Sequence, residues 1–442
     1  MRFKRPMWTY HPNLLATPVP RYTSYPTAAD FGPLEDGMIE RAIAGATGDI
    51  SLYLHIPFCE KICYYCGCNT ATSGKLARVE RYLAALHQEI ATVASLLPEG
   101  TRVRRVAFGG GSPNAIDPTD FLALVDAIHA HFPLYACRWS IELDPRSLTP
   151  EWCEMIGSVG ITRASMGVQT FAAHCQKAIG REQSLTLICR SVDMLRQAGV
   201  TSLNFDLMYG LPHQSGADLE DSLEYTRKLG ADRVAVFGYA HVPHLVPRQA
   251  MIPEDALPGA AARFIMASEA HAMLTSQGYE AIGFDHFALP HDPMARAARS
   301  GTLRRNFQGF TDDPSDVLIG LGASAISSFP ALLAQNDKHT ASYRTLSGEG
   351  RLSASHGVVR SPEDRRRGDV IEALLCKGAS QVPGDLLADM GDRLAPFADA
   401  GLATLEGDRL TILSGGLPYA RIIAALFDRY RAFAPRRFSS AI

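Results

Sequence analysis

Four of the nine cysteines fall within ten residues, Cys59-Glu60-Lys61-Ile62-Cys63-Tyr64-Tyr65-Cys66-Gly67-Cys68, with three, two and one residues between successive thiols. Thiolates are soft ligands, and clustered thiols in a chain with no export signal point to metal rather than to disulfides. A structural zinc site normally draws two C-x2-4-C pairs from separate turns around a tetrahedral ion. Here Cys59, Cys63 and Cys66 form one tight loop, and Cys68 follows too closely to be an easy fourth ligand. Three thiolates on an iron–sulfur cubane would leave one iron open to a ligand that is not protein. The spacing favours such a cluster over zinc, and a metal analysis separates the two.

A second set of candidates lies downstream. Gly109-Gly110-Gly111-Ser112 follows a strand-like stretch but does not match G-x-G-x-x-G, so no dinucleotide fingerprint is supported. Glycines at a strand's end let a ligand approach the backbone, although a tight turn alone would also use them. Glu142, Gln169 and Asp206 lie at or near the ends of three further strand-like stretches. Barrels collect catalytic and binding groups there, and a satisfied polar strand cap is the plain alternative.

The elements that must position these groups alternate in type. Residues 51–57 read as a strand running straight into the cysteine loop. Val79, Leu83, Leu86, Ile90, Val93 and Leu97 follow at helical spacing, and 103–108 is the next strand. Asp117-Pro118 offers an N-cap and a first-turn proline for a helix holding Phe121, Leu124, Val125 and Ile128. Further strands are expected over 140–144, 162–169, 203–209 and 233–239, with helices starting at Thr149-Pro150 and spanning 185–198. Strands separated by helices imply parallel pairing in a barrel or doubly wound sheet.

The strand faces say which. In Tyr53-Leu54-His55-Ile56 the polar side chains share one face; Glu142 stands alone between Ile141 and Leu143; Asn204 and Asp206 again share a face. In Arg163-Ala164-Ser165-Met166-Gly167-Val168-Gln169 every odd position is polar or glycine. The outer face of a barrel strand meets helices and must be apolar, so these polar faces point inward. A closed eight-stranded barrel fills its inside with branched apolar side chains. The pattern therefore predicts a wider, partly open barrel around a polar cavity.

Two flanking parts differ in character. The first 29 residues hold four Arg or Lys and no Asp or Glu, and include Pro20-Arg21-Tyr22-Thr23-Ser24-Tyr25-Pro26-Thr27-Ala28. This predicts an ordered, irregular arm that wraps the core or lends a positive field to a polyanion site. Ser361-Pro362-Glu363-Asp364 reads as an N-cap, first-turn proline and acidic N3 for a helix through Val370, Ile371, Leu374 and Leu375. Further helices are expected over 384–401 and 418–433. The reading is an α/β protein in three parts: an arm over 1–48, a (β/α) barrel over 49–340, and a smaller, mostly helical domain over 341–442.

The 442-residue chain carries 43 basic and 46 acidic residues, so no global charge points to nucleic acid. No apolar run approaches the roughly 20 residues that span a bilayer, and no signal-peptide core follows Met1. A cytoplasmic location, where thiols stay reduced, is expected. The scattered Cys137, Cys153, Cys175, Cys189 and Cys376 are expected to be small core or surface residues.

A C-x3-C-x2-C loop just after a first strand resembles the signature of the radical S-adenosylmethionine (radical SAM) enzymes. Over nearly its whole length the chain is similar to their oxygen-independent coproporphyrinogen III oxidase family. The carrying segments are the arm string 20–28, the cysteine loop with its extra Cys68, Ser165-Met166-Gly167-Val168-Gln169 and Asp206-Leu207-Met208-Tyr209-Gly210-Leu211-Pro212. Asp285-His286-Phe287-Ala288, Asn306-Phe307-Gln308-Gly309-Phe310 and Gly322-Ala323-Ser324-Ala325-Ile326-Ser327 complete them. Gly180, Phe284 and Ser112 stand where the family usually has Asn, Met and Thr.

The resemblance implies a radical SAM type barrel in which Cys59, Cys63 and Cys66 hold a 4Fe–4S cluster whose fourth iron chelates S-adenosylmethionine. It implies that Tyr65 packs beside the cofactor and that Gly110, Gly111 and Ser112 belong to the segment binding the methionine amino group. Glu142, Gln169, Arg181 and Asp206 match positions that hold S-adenosylmethionine, Ala240 and Ile326 lie along its adenine, and Tyr53 matches a tyrosine beside the sulfonium. Catalytic roles are thereby implied for Tyr53 and Glu142. Phe307 and Gln308 match positions linked to a second S-adenosylmethionine.

The implied reaction is the oxidative decarboxylation of two propionates of coproporphyrinogen III to vinyl groups, giving protoporphyrinogen IX for haem synthesis. A 5′-deoxyadenosyl radical would take a hydrogen atom from each propionate β-carbon, with carbon dioxide and one electron then lost. An electron donor and an acceptor are required, and a monomer without membrane span is expected. The rival within the superfamily is a haem-delivering chaperone, a branch that lacks the arm string and the fourth cysteine, both of which are present here.

Overall fold

The structure, a computed structural model, describes residues 7–431. Its centre is seven parallel strands: β1 (Asp49–Ile56), β2 (Arg102–Gly110), β3 (Leu134–Leu143), β4 (Arg163–Gln169), β5 (Ser202–Tyr209), β6 (Arg233–Gly238) and β7 (Val317–Leu321). Their spatial order is β7-β1-β2-β3-β4-β5-β6. Short antiparallel strands widen both edges into a sheet of 13. Ile326–Ser328, Leu332–Asn336, Ala354–Val359 and Gly32–Pro33 extend it beyond β7, and His286–Ala288 and Glu280–Ile282 extend it beyond β6. Among the described residues no pairing joins the two edges, so the barrel is open.

Helices α1 (Leu76–Leu96), α2 (Pro118–His131), α3 (Pro150–Val159), α4 (Leu185–Gln197), α5 (Gly216–Lys228) and α6 (Ala260–Ser276) intervene between the strands. Their starts follow local chemistry. Asp117 accepts from Thr119 N, Thr149 from Trp152 N, and Ser184 from Leu187 N, while Ser215 and Asp218 form a reciprocal capping box. Each such cap contributes about 1 kcal/mol.

The alternation expected on the strands is present. On β4, Ala164, Met166 and Val168 are at most 1% exposed, and on β5 Leu203, Phe205 and Leu207 are fully buried. Burying each of these apolar side chains larger than alanine stabilises the fold by about 1.5–3 kcal/mol. Their polar neighbours Ser165, Gly167, Asn204 and Asp206 line cavities inside the barrel instead. The hollow polar interior is thus written in the period-2 pattern.

The arm runs irregularly over the barrel, with single turns at Pro12–Leu15 and Ala28–Asp30, before the two-residue strand Gly32–Pro33 and the helix Met38–Ala44. Tyr22 donates to Asp428 at 2.9 Å, and Tyr25 Oη accepts from Arg429 N at 3.1 Å, so the arm is clasped by the end of the described chain.

Three features differ from the expectation. β7 went unread because Val317-Leu318-Ile319-Gly320-Leu321 is buried on both faces and shows no alternation. Ala354–Val359, beyond the division expected at 340, still pairs within the main sheet. The tail begins as expected with the capped helix α7 (Pro362–Lys377), but it also holds a three-stranded sheet of Ala379–Gln381, Arg409–Ile412 and Ala403–Glu406. The helix expected over 384–401 breaks at Gly391, whose φ of 52° suits glycine. The one expected over 418–433 is reduced to Ala420–Ala424 between 3-10 turns, and its last two residues lie outside the described residues.

Candidate active site

The C-terminal ends of β1 to β6 surround a cavity of about 690 Å³. β1 delivers the cysteine loop to its rim, and Cys59, Cys63 and Cys66 all line it. The loop is pinned from both sides: Tyr64 N donates to Ile179 O at 3.0 Å, and Gln249 Nε2 donates to Tyr65 O at 2.9 Å. Cys68 also lines the cavity, and its backbone N–H donates to Cys66 Sγ at 3.4 Å. Hydrogen bonds from Cys68 draw the Cys66 thiol down to about 6, whereas burial pushes Cys59 up to about 12. A metal that deprotonates its ligands would overcome the second cost.

Two cations face the buried Cys63. Arg146 Nη2 lies 3.3 Å and Arg181 Nη1 3.4 Å from its Sγ. Asp144 holds both guanidinium groups, at 2.7 Å from Arg146 Nη2 and 3.0 Å from Arg181 Nη1. Burial pushes the Asp144 carboxyl up, but the two arginines outweigh it and leave the group below its ordinary range. Arg181 is further fixed by Gly167 O, which accepts from its Nη2 at 2.6 Å. Asp144 and Arg146 were missed as candidates; the signal was Asp144-Pro145-Arg146 directly after β3, where Arg146 N donates back to Asp144 Oδ1. Gly180, before Arg181, has φ 64°, a left-handed conformation that Asn also tolerates.

The carboxylates come from adjacent strands. Gly110 N donates to Glu142 Oε2 at 3.2 Å, and Asp206 accepts from Ser165 Oγ and Asn204 Nδ2, each at 2.9 Å. Burial, reinforced by the Asp206 charge, raises Glu142 to about 7. Gln169 closes β4 at φ 66°, an unusual backbone for a non-glycine residue. Tyr65, Gly110, Gly111, Gln169, Arg181 and Ala240 line the same cavity.

The glycine run is needed first for packing. A Cβ on Gly109 would come within 2.6 Å of the Glu142 carboxylate, on Gly110 within 2.7 Å of the His55 ring, and on Gly111 within 2.5 Å of Phe58 O. His55, another residue the sequence reading left out of the site, is buried, hydrogen-bonds Tyr53 Oη at 3.3 Å and is held neutral by burial.

Five expected residues lie away from this cavity. Ser112 is buried with its hydroxyl donating to Asn114 Oδ1 at 2.6 Å, a turn-stabilising role. Phe307 and Ile326 line a neighbouring cavity of about 320 Å³ under the arm residues Tyr22 to Tyr25. Tyr53 stands between, its ring 4.7 Å from that of Phe307. Gln308 faces a third cavity, below the first, which shares Glu142, Ser165 and Asp206 with it. Its side chain hydrogen-bonds Glu142.

The residues fit the two cofactors. One loop presents three thiols without a fourth protein ligand at the same spacing, two arginines offset thiolate charge, and a polar cavity adjoins them. Such a donor set suits an iron–sulfur cluster with an open iron better than a closed tetrahedral zinc site.

Residues 53–226 match the Radical SAM superfamily model. The chain is 41% identical over 428 residues to an oxygen-independent coproporphyrinogen III oxidase of Bradyrhizobium diazoefficiens, covering 93% of this chain and 94% of that one. To the enzyme of that name from Escherichia coli it is 36% identical over 426 residues, covering 93% of each. The solved structure of coproporphyrinogen III oxidase (HemN) from Escherichia coli, a radical SAM enzyme, superimposes with a TM-score of 0.90 at 34% identity, over 96% of this chain and 99% of that one. A 4Fe–4S cluster and S-adenosylmethionine are the cofactors of that superfamily, and this chain belongs to its oxygen-independent coproporphyrinogen III oxidase family.

Proposed function

We propose that the protein oxidatively decarboxylates coproporphyrinogen III to protoporphyrinogen IX without oxygen, in haem synthesis. The observation that carries this is the meeting of the three-thiol loop, Arg181, Glu142 and Asp206 in one polar cavity at the strands' C-terminal ends. Cys59, Cys63 and Cys66 would hold the cluster and the cavity residues the S-adenosylmethionine, which together would supply the one-electron chemistry needed to remove a hydrogen atom from the substrate.

The chain's own groups do the rest. Arg146 and Arg181, locked by Asp144, offset the charge of the thiolates. Glu142 and Asp206 offer acceptors to the cofactor's amino and hydroxyl groups, and Gln169 and Arg181 offer donors to its carboxylate. Tyr65, Phe237 and Tyr239 wall the cavity with rings that exclude water. Tyr53, pushed up by burial and next by Glu142, keeps its proton and packs against Phe307, which places both beside rather than inside the cofactor cavity. We assign the second S-adenosylmethionine, with Phe307 and Gln308, to the space between these cavities.

No helix among the described residues is long and apolar enough to cross a membrane. We place the protein in the cytoplasm as a monomer, receiving an electron from a donor protein and passing substrate electrons to a separate acceptor. The test is anaerobic: the reconstituted protein with S-adenosylmethionine, dithionite and coproporphyrinogen III. The expected result is protoporphyrinogen IX with 5′-deoxyadenosine; a stable Soret shift with haem and no turnover would favour a chaperone.

A further inference from the structure

Glu89 and Tyr82 lie two turns apart on one face of α1, both buried, and the chemistry described above uses neither. Gly322 N and Tyr343 Oη donate to Glu89 Oε2, and Asn336 Nδ2 donates to its Oε1, each at 2.7 Å. An ionised carboxylate only accepts, so these three donors are matched to it. None of them is a cation, and burial raises the Glu89 carboxyl to about 7 against their pull. An apolar side chain of similar volume would pack there at less cost. What the carboxylate returns is a fixed geometry.

That geometry belongs to the turn after β7, the start of the Gly322-Ala323-Ser324-Ala325-Ile326-Ser327 string. Gly322 has φ 100° and the non-glycine Ser324 has φ 64°, backbone that persists only where its surroundings hold it. Glu89 holds Gly322 N, Asn336 Nδ2 also donates to Gly322 O at 3.0 Å, and Ala323 N donates to Tyr82 Oη at 3.0 Å. Tyr82 Oη in turn donates to His55 O at 2.7 Å, and its ring meets Phe58 edge-on at 5.3 Å. Both of these residues support walls of the cofactor cavity. Phe58 is followed by Cys59, and its carbonyl accepts from Ser112 N at 2.7 Å. The His55 ring lies within 2.7 Å of where a Gly110 Cβ would be, and Gly110 N reaches Glu142.

We propose that Glu89, acting through Tyr82 and the Gly322 turn, is a positioning residue for the cofactor cavity. It fixes the end of β1, and with it the cysteine loop on one side and the glycine segment on the other, so it sets the affinity for S-adenosylmethionine. Glu89 does not itself line the cavity. This role rests on the cofactor reading given above and is independent of the substrate. Binding groups must be held to about 0.5 Å, and a displacement of about 1 Å costs up to roughly 100-fold.

The test is titration of the reconstituted full chain with S-adenosylmethionine, followed in the paramagnetic resonance spectrum of the reduced cluster, with iron content and the denaturant midpoint measured in parallel. Glu89→Gln keeps the volume but turns one acceptor into a donor facing donors. Tyr343→Phe removes a hydrogen bond from the same carboxylate and leaves the bonds of the Gly322 turn in place. The expected result is about tenfold weaker cofactor binding in Glu89→Gln at full iron content, with Tyr343→Phe within about twofold of wild type. Tyr82→Phe alone should weaken binding in the same direction, which tests the link even where Glu89→Gln does not fold. The double variant should lose less than the product of the two single effects, because both residues hold one turn. Unchanged affinity in Glu89→Gln and Tyr82→Phe, or losses in Glu89→Gln and Tyr343→Phe that track their midpoints alike, would overturn the positioning role. A wild type with full iron that binds no S-adenosylmethionine would overturn the cofactor reading and the positioning role together.

Discussion

At the lower end of the barrel, where the parallel strands begin, Asp312 accepts from Arg105 Nη1 at 2.8 Å and from Arg163 Nη1 at 2.7 Å, with Arg138 Nη1 at 3.5 Å. At the upper end, where the same strands finish, Glu142 has one backbone donor, a glutamine and a neighbouring carboxylate. Both carboxylates are half-buried. One is held far below its ordinary range by arginines, and the other is raised to about 7 by burial and Asp206. A polar barrel interior therefore has two origins. The lower half is a saturated ionic plug that closes the fold, and the upper half is left under-satisfied where ligands supply the missing partners.

The largest test of this contrast is loss of a thiol. Cys63→Ala should leave reconstituted protein without the 4Fe–4S absorbance and without detectable 5′-deoxyadenosine, whereas Cys68→Ala should keep the absorbance. Equal loss in both would mean that Cys68 belongs to the ligand set.

Next comes the plug. Asp312→Asn takes the close counter-charge from the shielded Arg105 and Arg163, leaving Arg105 with Asp313 at 3.5 Å, and should cost about 3 kcal/mol in denaturant unfolding. The sign in pH follows from its depressed folded value. The carboxylate's contribution is present above the unfolded pKa near 4 and is lost as the pH falls below that value toward the lower folded one. Wild type and variant should therefore converge in stability in acid. A constant gap between them would count against the ionic account.

Glu142 should behave in the opposite sense. Its folded pKa is raised, so its contribution is intact below about 4.3 and is lost as the pH rises through about 7. Glu142→Gln should then gain on the wild type by up to about 3 kcal/mol between pH 5 and 8, while binding S-adenosylmethionine at least about tenfold more weakly. A variant with unchanged cofactor affinity would remove Glu142 from the site.

Much of this was legible in residue types. The cysteine spacing gave the loop, and the odd-even pattern of Arg163 to Gln169 gave a hollow barrel before any fold was known. What escaped depended on which side chains meet in space. Asp144 and Arg146 read as a turn until Cys63 was found beside them, and His55 gained its place only through Tyr53 and the Gly110 turn. β7 escaped because a strand buried on both faces has no period to read. Ser112 has a family position that implies the cofactor, whereas its buried hydroxyl is engaged with Asn114. Ser112→Ala should accordingly be the mildest change, costing about 1 kcal/mol of stability with S-adenosylmethionine affinity within about twofold of wild type. A larger loss of affinity would return the hydroxyl to the site.

The central claim is that the upper end of the barrel presents a three-thiolate cluster with an iron open to the sulfonium cofactor. Electron paramagnetic resonance of the dithionite-reduced, reconstituted protein tests it most directly. The account predicts a reduced 4Fe–4S signal that changes shape and g-values on adding S-adenosylmethionine, in wild type and in Cys68→Ala alike. A signal indifferent to S-adenosylmethionine, or one lost in Cys68→Ala, would contradict it.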